Sequence, residues 1–146
     1  MILQNPTGLG LREDSGGSGR FGASRGKRKH EGFDFLCVPG QIVKAVIAGK
    51  LVSAYPYAGD VIFAGCRIWG KEWMSKMFYF IPYTHRINED VLAGEDIGIA
   101  QDISAKYGGG MLPHIHVGLY KLNPTLLVNP EKYLDTEENR LKDGGY

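Results

Sequence analysis

The stretch His30-Glu31-Gly32-Phe33-Asp34-Phe35-Leu36-Cys37 places a histidine and a carboxylate at the start of an apolar run. Similar short runs, rich in valine, isoleucine, phenylalanine and tyrosine, recur along the chain between Pro-Gly, Ala-Gly and Gly-Asp turn signals. Such runs are typical of strands. The predicted strands cover residues 33–37, 42–48, 50–55, 61–68, 77–83, 97–100 and 114–120. Their spacing predicts an all-β fold of packed antiparallel sheets with little helix.

The composition fits one globular domain. The chain has 146 residues, of which 43% are hydrophobic and 23% are charged, and this length can bury a real core. The formal net charge is +1, so no overall field recruits nucleic acid. No apolar run approaches the ~20 residues that cross a bilayer, which argues against membrane insertion. The first residues lack the regions of a secretory signal, so we expect synthesis without a leader.

Three segments differ in composition. Residues 1–19 are glycine-rich and are predicted to form an N-terminal arm or loop. Residues 20–134 carry the strand-like runs and form the expected domain, and residues 135–146 form a polar C-terminal tail with room for a short helical turn. Cys37 and Cys66 lack the spacing of a thiolate metal site, and we expect both to be small buried hydrophobes. The sequence leaves open whether they pair.

His30 and Asp34 are a candidate pair of metal ligands. Four positions along a straight strand separate two side chains by ~13 Å, whereas zinc bonds to histidine and carboxylate are only ~2.0–2.2 Å long. Gly32 lies between them and allows a bend or bulge that would draw them together.

His114 and His116 are alternate residues of a predicted strand, so their side chains point to the same face. The spacing leaves open which of them binds metal. Two histidines and one carboxylate form a three-ligand zinc set with a fourth position open for water. Two alternatives remain at this point: a chance pattern without metal, and a closed structural site with four protein ligands.

The order of these motifs resembles the lysostaphin/LytM-type zinc metallopeptidases, which cut peptidoglycan peptides. That family carries HxxxD, then a lone histidine in a Tyr-x-His context, then HxH. The corresponding residues are His30–Asp34, Tyr83-Thr84-His85 and His114–His116. Further matches are the hairpin at 45–52, the glycine turn at 91–98 and the closing Asn129-Pro130. The resemblance covers roughly residues 20–134.

The resemblance implies a fold of the duplicated hybrid motif type and a Zn²⁺ ion bound by His30, Asp34 and His116. It implies that His85 and His114 are the catalytic histidines. Two departures weaken the match around the metal. The family tyrosine shortly before the first histidine is missing, and Val117-Gly118 replaces the Phe-Glu that often follows HxH.

The expected activity is a zinc-dependent endopeptidase that hydrolyses peptidoglycan peptides at the bacterial cell wall. The missing leader suggests a phage lysin or a virion-associated enzyme. The main alternative is a non-catalytic binding or structural module that keeps the fold, since the stretch Lys76-Met77-Phe78-Tyr79 also resembles the leukocyte-derived chemotaxins, which are regarded as binding proteins. The presence of His85 favours activity.

A basic run, Arg25-Gly26-Lys27-Arg28-Lys29, precedes the first candidate ligand. One interpretation is a solvated loop, which is the common fate of such runs. The other is contact with anionic wall polymers or peptide carboxylates. The aromatic segment around Phe78 and Tyr79 has a similar pair of interpretations, core packing or the wall of a substrate groove.

Overall fold

A computed structural model of the chain describes residues 1–108 and 110–143. The strands of this part are β1 (Glu13–Asp14), β2 (Gly17–Ser18), β3 (Ser24–Arg25), β4 (Arg28–Lys29), β5 (Phe33–Leu36), β6 (Ile42–Lys44), β7 (Gly49–Ala54), β8 (Gly65–Trp69), β9 (Trp73–Phe78), β10 (Phe80–Pro82), β11 (Asp90–Val91), β12 (Asp96–Ala100), β13 (His114–Lys121) and β14 (Leu126–Val128). The α-helices are α1 (Ser104–Tyr107) and α2 (Glu137–Lys142), and 3-10 turns cover Thr84–Arg86 and Pro130–Tyr133. The predicted all-β class is confirmed.

Most of the strands form one large and one small antiparallel sheet, while β1 with β2 and β3 with β4 form two separate hairpins. The large sheet runs in the order β11-β7-β8-β9-β13-β14, and β5 pairs with the other half of the β13 edge. The small sheet runs in the order β10-β12-β6. Side chains from both sheets belong to one buried core cluster. The sheets therefore stabilise each other by burying their apolar faces together.

Alternate side chains of strand β13 point into the core and towards the candidate site. Ile115, Val117 and Leu119 are fully buried and belong to the core cluster. Because successive side chains point to opposite faces of a sheet, His114 and His116 lie on the other face. That face lines an open cleft of about 600 Å³.

The predicted strand at 77–83 is two strands in the structure. Strand β9 ends at Phe78, and Tyr79 adopts a left-handed backbone conformation with φ of 80°. Strand β10 then begins at Phe80 and pairs with β12 in the small sheet. The sequence does not reveal this change of sheet, because the residues on both sides of Tyr79 are apolar. Residues 61–64 of the predicted strand 61–68 are likewise outside β8.

The N-terminal segment, predicted to be an arm or loop over residues 1–19, packs against the rest of the domain. Leu3 is fully buried in the core, and its N–H donates to the carbonyl of Tyr133 at 2.6 Å. Strands β1 and β2 form a hairpin. The Gly19 N–H donates to the Arg12 carbonyl, and the Gly19 carbonyl accepts from the Asp34 N–H. The segment is therefore part of the domain and lies against the strand that carries Asp34.

The predicted strand at 42–48 is shorter in the structure, where β6 covers Ile42–Lys44. The C-terminal tail and the cysteines agree with the sequence. The tail forms the predicted helical turn as α2, and residues 144–146 of the predicted tail lie outside the described residues. Cys37 and Cys66 are both free and buried, and burial raises the pKa of Cys37 to about 12. Both thiols therefore act as small hydrophobic side chains. None of the described residues forms a helix long and apolar enough to span a bilayer.

Candidate metal centre

Pairing between β5 and β13 brings two of the predicted ligands together. Asp34 and His116 are directly opposite each other in the register of these strands. Phe33 and Phe35 flank Asp34 and point into the core, so the carboxylate points to the face that carries His116. The Nδ1 atom of His116 lies 3.0 Å from Oδ1 of Asp34.

The loop between β4 and β5 supplies the third residue. The backbone bends at Gly32, as predicted, and returns His30 towards Asp34. The His30 Nε2 atom then lies 3.0 Å from Asp34 Oδ1 and 3.0 Å from His116 Nδ1. A straight strand would have kept His30 and Asp34 far apart.

Replacing Gly32 with alanine should distort this arrangement. A Cβ atom there would lie 2.4 Å from the Val117 carbonyl oxygen and 2.6 Å from His116 Cε1, so β5 and β13 would have to separate. We expect a loss of about 1–3 kcal/mol in the free energy of unfolding and weaker zinc binding. The matched control is Gly10→Ala, where a Cβ meets nothing within 4 Å. Equal zinc affinity and equal melting temperature for the two variants would contradict this account.

The three ligand atoms form a triangle in which lone pairs converge, and this arrangement favours a bound cation. The Nδ1 of His30 donates to the carbonyl oxygen of Arg20 at 2.9 Å, so its Nε2 carries a lone pair. Asp34 Oδ1 offers another lone pair, and with both rings neutral at most one proton, on His116 Nδ1, is shared among the three atoms. Burial raises the pKa of Asp34, but the imidazoles of His116 and His30 beside its carboxylate outweigh this effect and hold that pKa well below its usual value.

The donor set fits zinc. Tetrahedral bonds of about 2.0–2.2 Å separate ligand atoms by about 3.3–3.6 Å, close to the 3.0 Å sides of the triangle. Two imidazoles and a carboxylate are the ligands of catalytic zinc sites that keep one position open. The hydrogen bond from His30 to Arg20 is the outer contact that fixes a metal-binding tautomer.

His114 lies beside the triangle with a free ring nitrogen. Its Nδ1 donates to the Leu112 carbonyl oxygen at 2.8 Å, so Nε2 carries the lone pair. That atom is 3.6 Å from Asp34 Oδ2. Burial lowers the pKa of His114, and the charge of Asp34 opposes part of this effect. The side chain is therefore suited to accept a proton at neutral pH.

The structure does not bring His85 to this site, which corrects its predicted position. His85 is exposed in the 3-10 turn after β10, stacks on Tyr83 and is absent from the lining of the cleft. The reason is the change of sheet at Tyr79, which carries the following residues away from β13. The support that His85 lent to catalytic activity is thereby removed.

Tyrosines line the cleft next to His114 instead. The ring of Tyr79 meets the ring of His114 edge-on, with 5.3 Å between centroids. Its hydroxyl lies 3.5 Å from that of Tyr57, which lies 2.6 Å from the hydroxyl of Tyr107. Burial raises the pKa of Tyr79, so the hydroxyl remains a hydrogen-bond donor. The aromatic segment thus divides as expected, with Phe78 and Tyr79 in the groove wall and Phe80 in the core.

Sequence reasoning missed Arg12, which is 1% exposed. Its Nε donates to Asp34 Oδ2 at 3.1 Å, and its Nη1 donates to both carboxylate oxygens of Asp14 at 2.8 and 2.9 Å. Arg12 therefore holds one oxygen of Asp34 and leaves Oδ1 to face the histidines. A lone arginine in a glycine-rich segment carries no local signal of this role.

The chain is similar in sequence to a known protein. No family model matches the chain. Mouse leukocyte cell-derived chemotaxin-2 is 34% identical over 106 residues, which cover 71% of this chain and 68% of the mouse protein. The chain belongs to the lysostaphin/LytM-type metallopeptidase family that includes this chemotaxin.

Solved structures share the fold of this family member at lower identity. Csd3 of Helicobacter pylori superposes with a TM-score of 0.65 at 22% identity, covering 93% of this chain and 34% of Csd3. Lysostaphin from Staphylococcus simulans superposes with a TM-score of 0.64 at 19% identity, covering 100% of this chain and 57% of lysostaphin. The chain thus spans about a third of Csd3 and just over half of lysostaphin. These likenesses establish the metallopeptidase fold.

Proposed function

We propose that this chain is a zinc-dependent endopeptidase that hydrolyses amide bonds in the peptides of peptidoglycan, acting at the bacterial cell wall. One observation carries the proposal. The three ligand atoms of His30, Asp34 and His116 lie 3.0 Å from one another, with the free Nε2 of His114 in the same cleft.

The residues around the triangle have separate roles in the proposed reaction. A zinc ion held there would polarise the scissile carbonyl and lower the pKa of a water molecule at the open position. His114 Nε2 accepts the proton of the attacking water and returns it to the leaving amine. The Tyr79 hydroxyl donates a hydrogen bond towards the carbonyl oxygen as negative charge develops on it. In this scheme Tyr79 takes the catalytic role that the family resemblance implied for His85.

Replacement of His114 with alanine should separate metal binding from turnover. We expect the variant to keep one zinc ion per chain, because the three ligands remain, and to clear purified sacculi about 10²–10⁴-fold more slowly, because the proton acceptor is gone. Zinc content by mass spectrometry and the turbidity of sacculi are the two readouts. His85→Ala is the matched control and should clear sacculi at the wild-type rate. Unchanged clearance by the His114 variant rules out the proposed mechanism.

A second candidate is a zinc-binding module without hydrolytic activity. It is favoured by the position of His85 outside the cleft, which leaves His114 as the one histidine beside the ligand triangle in the part of the chain described. An enzyme contains zinc and clears sacculi until a chelator is added. A binding module contains zinc and clears nothing, so wild-type protein in this assay decides between the two.

A further inference from the structure

The cleft beside the metal ligands carries more positive than negative charge. Its cationic lining residues are Arg12, Arg25, Arg28, Lys29 and Lys76, and its acidic lining residues are Glu31 and Asp34. We propose that the cleft binds peptides through a carboxylate of the peptide, so that its ligands are acidic rather than neutral peptides. This inference rests on the proposed function in one respect, namely that the ligand is a peptide.

Arg25 is the first contact that we assign to the carboxylate. Its side chain is 21% exposed and lies 3.7 Å from Asp34 Oδ2, next to the metal ligands. Its Nη2 donates to the Ser18 carbonyl at 2.7 Å, and its Nη1 donates to the Ser24 carbonyl at 3.1 Å. These bonds fix the guanidinium in place and use two of its five N–H groups. An arginine held in this way is suited to bind a carboxylate with two parallel hydrogen bonds.

The positive charges of the site, with a divalent ion included, exceed its negative charges. Arg12 and Arg25 both face Oδ2 of Asp34, and that carboxylate also belongs to the ligand triangle. Asp14 balances Arg12. A divalent ion at the triangle adds further positive charge, so an anionic group of the peptide is favoured electrostatically beside it.

Lys76 extends the positive surface along the groove floor. It lies on β9 opposite Gly118 of β13, two positions along that strand from His116. The Lys76 ammonium lies 5.0 Å from the centre of the Tyr120 ring, and both residues line the cleft. Within residues 1–108 and 110–143, no carboxylate forms an ion pair with Lys76, Arg28 or Lys29.

The test compares peptides that differ in one charge. Alanine pentapeptides, acetylated and amidated at their ends, carry glutamate or glutamine at each position in turn. A further pair has a free or an amidated C-terminus, which separates a side-chain carboxylate from a terminal one. Binding to the zinc-loaded chain is measured by NMR titration at low and high salt. We expect at least one charged peptide to bind about fivefold or more tightly than its neutral partner, with the advantage shrinking as salt screens the charges.

Two charge reversals then test the contribution of Lys76. Lys76→Glu should strongly reduce the preference for the charged peptide, and Lys76→Gln should reduce it less. Lys121→Glu changes the net charge equally, but Lys121 is exposed outside the cleft lining, so the preference should persist. Equal binding of every charged and neutral pair, or equal losses in the Lys76→Glu and Lys121→Glu variants, overturns the inference. A preference without hydrolysis refutes only the endopeptidase, and hydrolysis without a preference refutes only this inference.

Discussion

Replacement of His30 or Asp34 with alanine will abolish stoichiometric zinc binding. Each variant removes one vertex of a triangle whose sides are 3.0 Å, and two ligands do not hold zinc in the tetrahedral arrangement that it prefers. We expect a loss of affinity well beyond the roughly 10–100-fold cost of removing an outer-shell partner. The measurement is the zinc content of each dialysed variant, followed by competition with a chelator for the affinity.

The two variants also separate metal loss from misfolding. Asp34→Ala removes the carboxylate that pairs with Arg12, so it also destabilises the chain. His30→Ala leaves that ion pair in place and should fold, with its loss of zinc due to the missing ligand alone. Asp96→Ala is the control, because Asp96 is a half-exposed residue of β12 that pairs with Lys44 outside the site. If His30→Ala retained one zinc ion at wild-type affinity, the ligand assignment would be wrong.

Replacement of Arg12 with methionine will cause the largest loss of stability. The methionine fills part of the buried space, but it leaves the carboxylate of Asp14 without its charged partner and that of Asp34 with only the more distant Arg25. The side chains of Asp14 and Asp34 are 4% and 3% exposed. Removing one partner of a buried ion pair costs about 3–5 kcal/mol. Urea unfolding of the metal-free protein measures this loss directly.

Two further variants test the cause of that loss. Arg12→Lys keeps the charge but cannot reproduce the forked contacts to two carboxylates, so we expect an intermediate loss. Arg67→Met replaces an exposed arginine on β8 and should change the free energy of unfolding by less than about 0.5 kcal/mol. A loss below about 1 kcal/mol for Arg12→Met would show that the buried network does not stabilise the fold.

Local sequence patterns were sufficient for the fold class and for the faces of the strands on which the candidate ligands lie. Alternation of apolar residues in β13 fixed both the core face of Ile115 and Val117 and the cleft face of His116. The glycine at position 32 predicted the bend that returns His30 to Asp34. These features are local, because they depend on strand periodicity and on the space that one small residue leaves.

The features that the sequence did not predict depend on long-range geometry. The conformation of Tyr79 ends β9 and moves the chain to the other sheet, and the apolar run from 77 to 83 shows no sign of that break. His85 consequently lies outside the cleft, although its sequence context resembled the family motif. Arg12 lies 22 residues before Asp34 in the chain. Gly19 packs closely against both residues, and no local sequence pattern predicts this packing.

Zinc-edge anomalous diffraction from crystals of the zinc-loaded chain tests the central claim most directly. We predict a single strong peak within about 2.0–2.2 Å of His30 Nε2, Asp34 Oδ1 and His116 Nδ1, with His114 beside it and not bound to it. A peak at another group of side chains, or a zinc-loaded crystal in which Asp34 is not a ligand, would contradict the account.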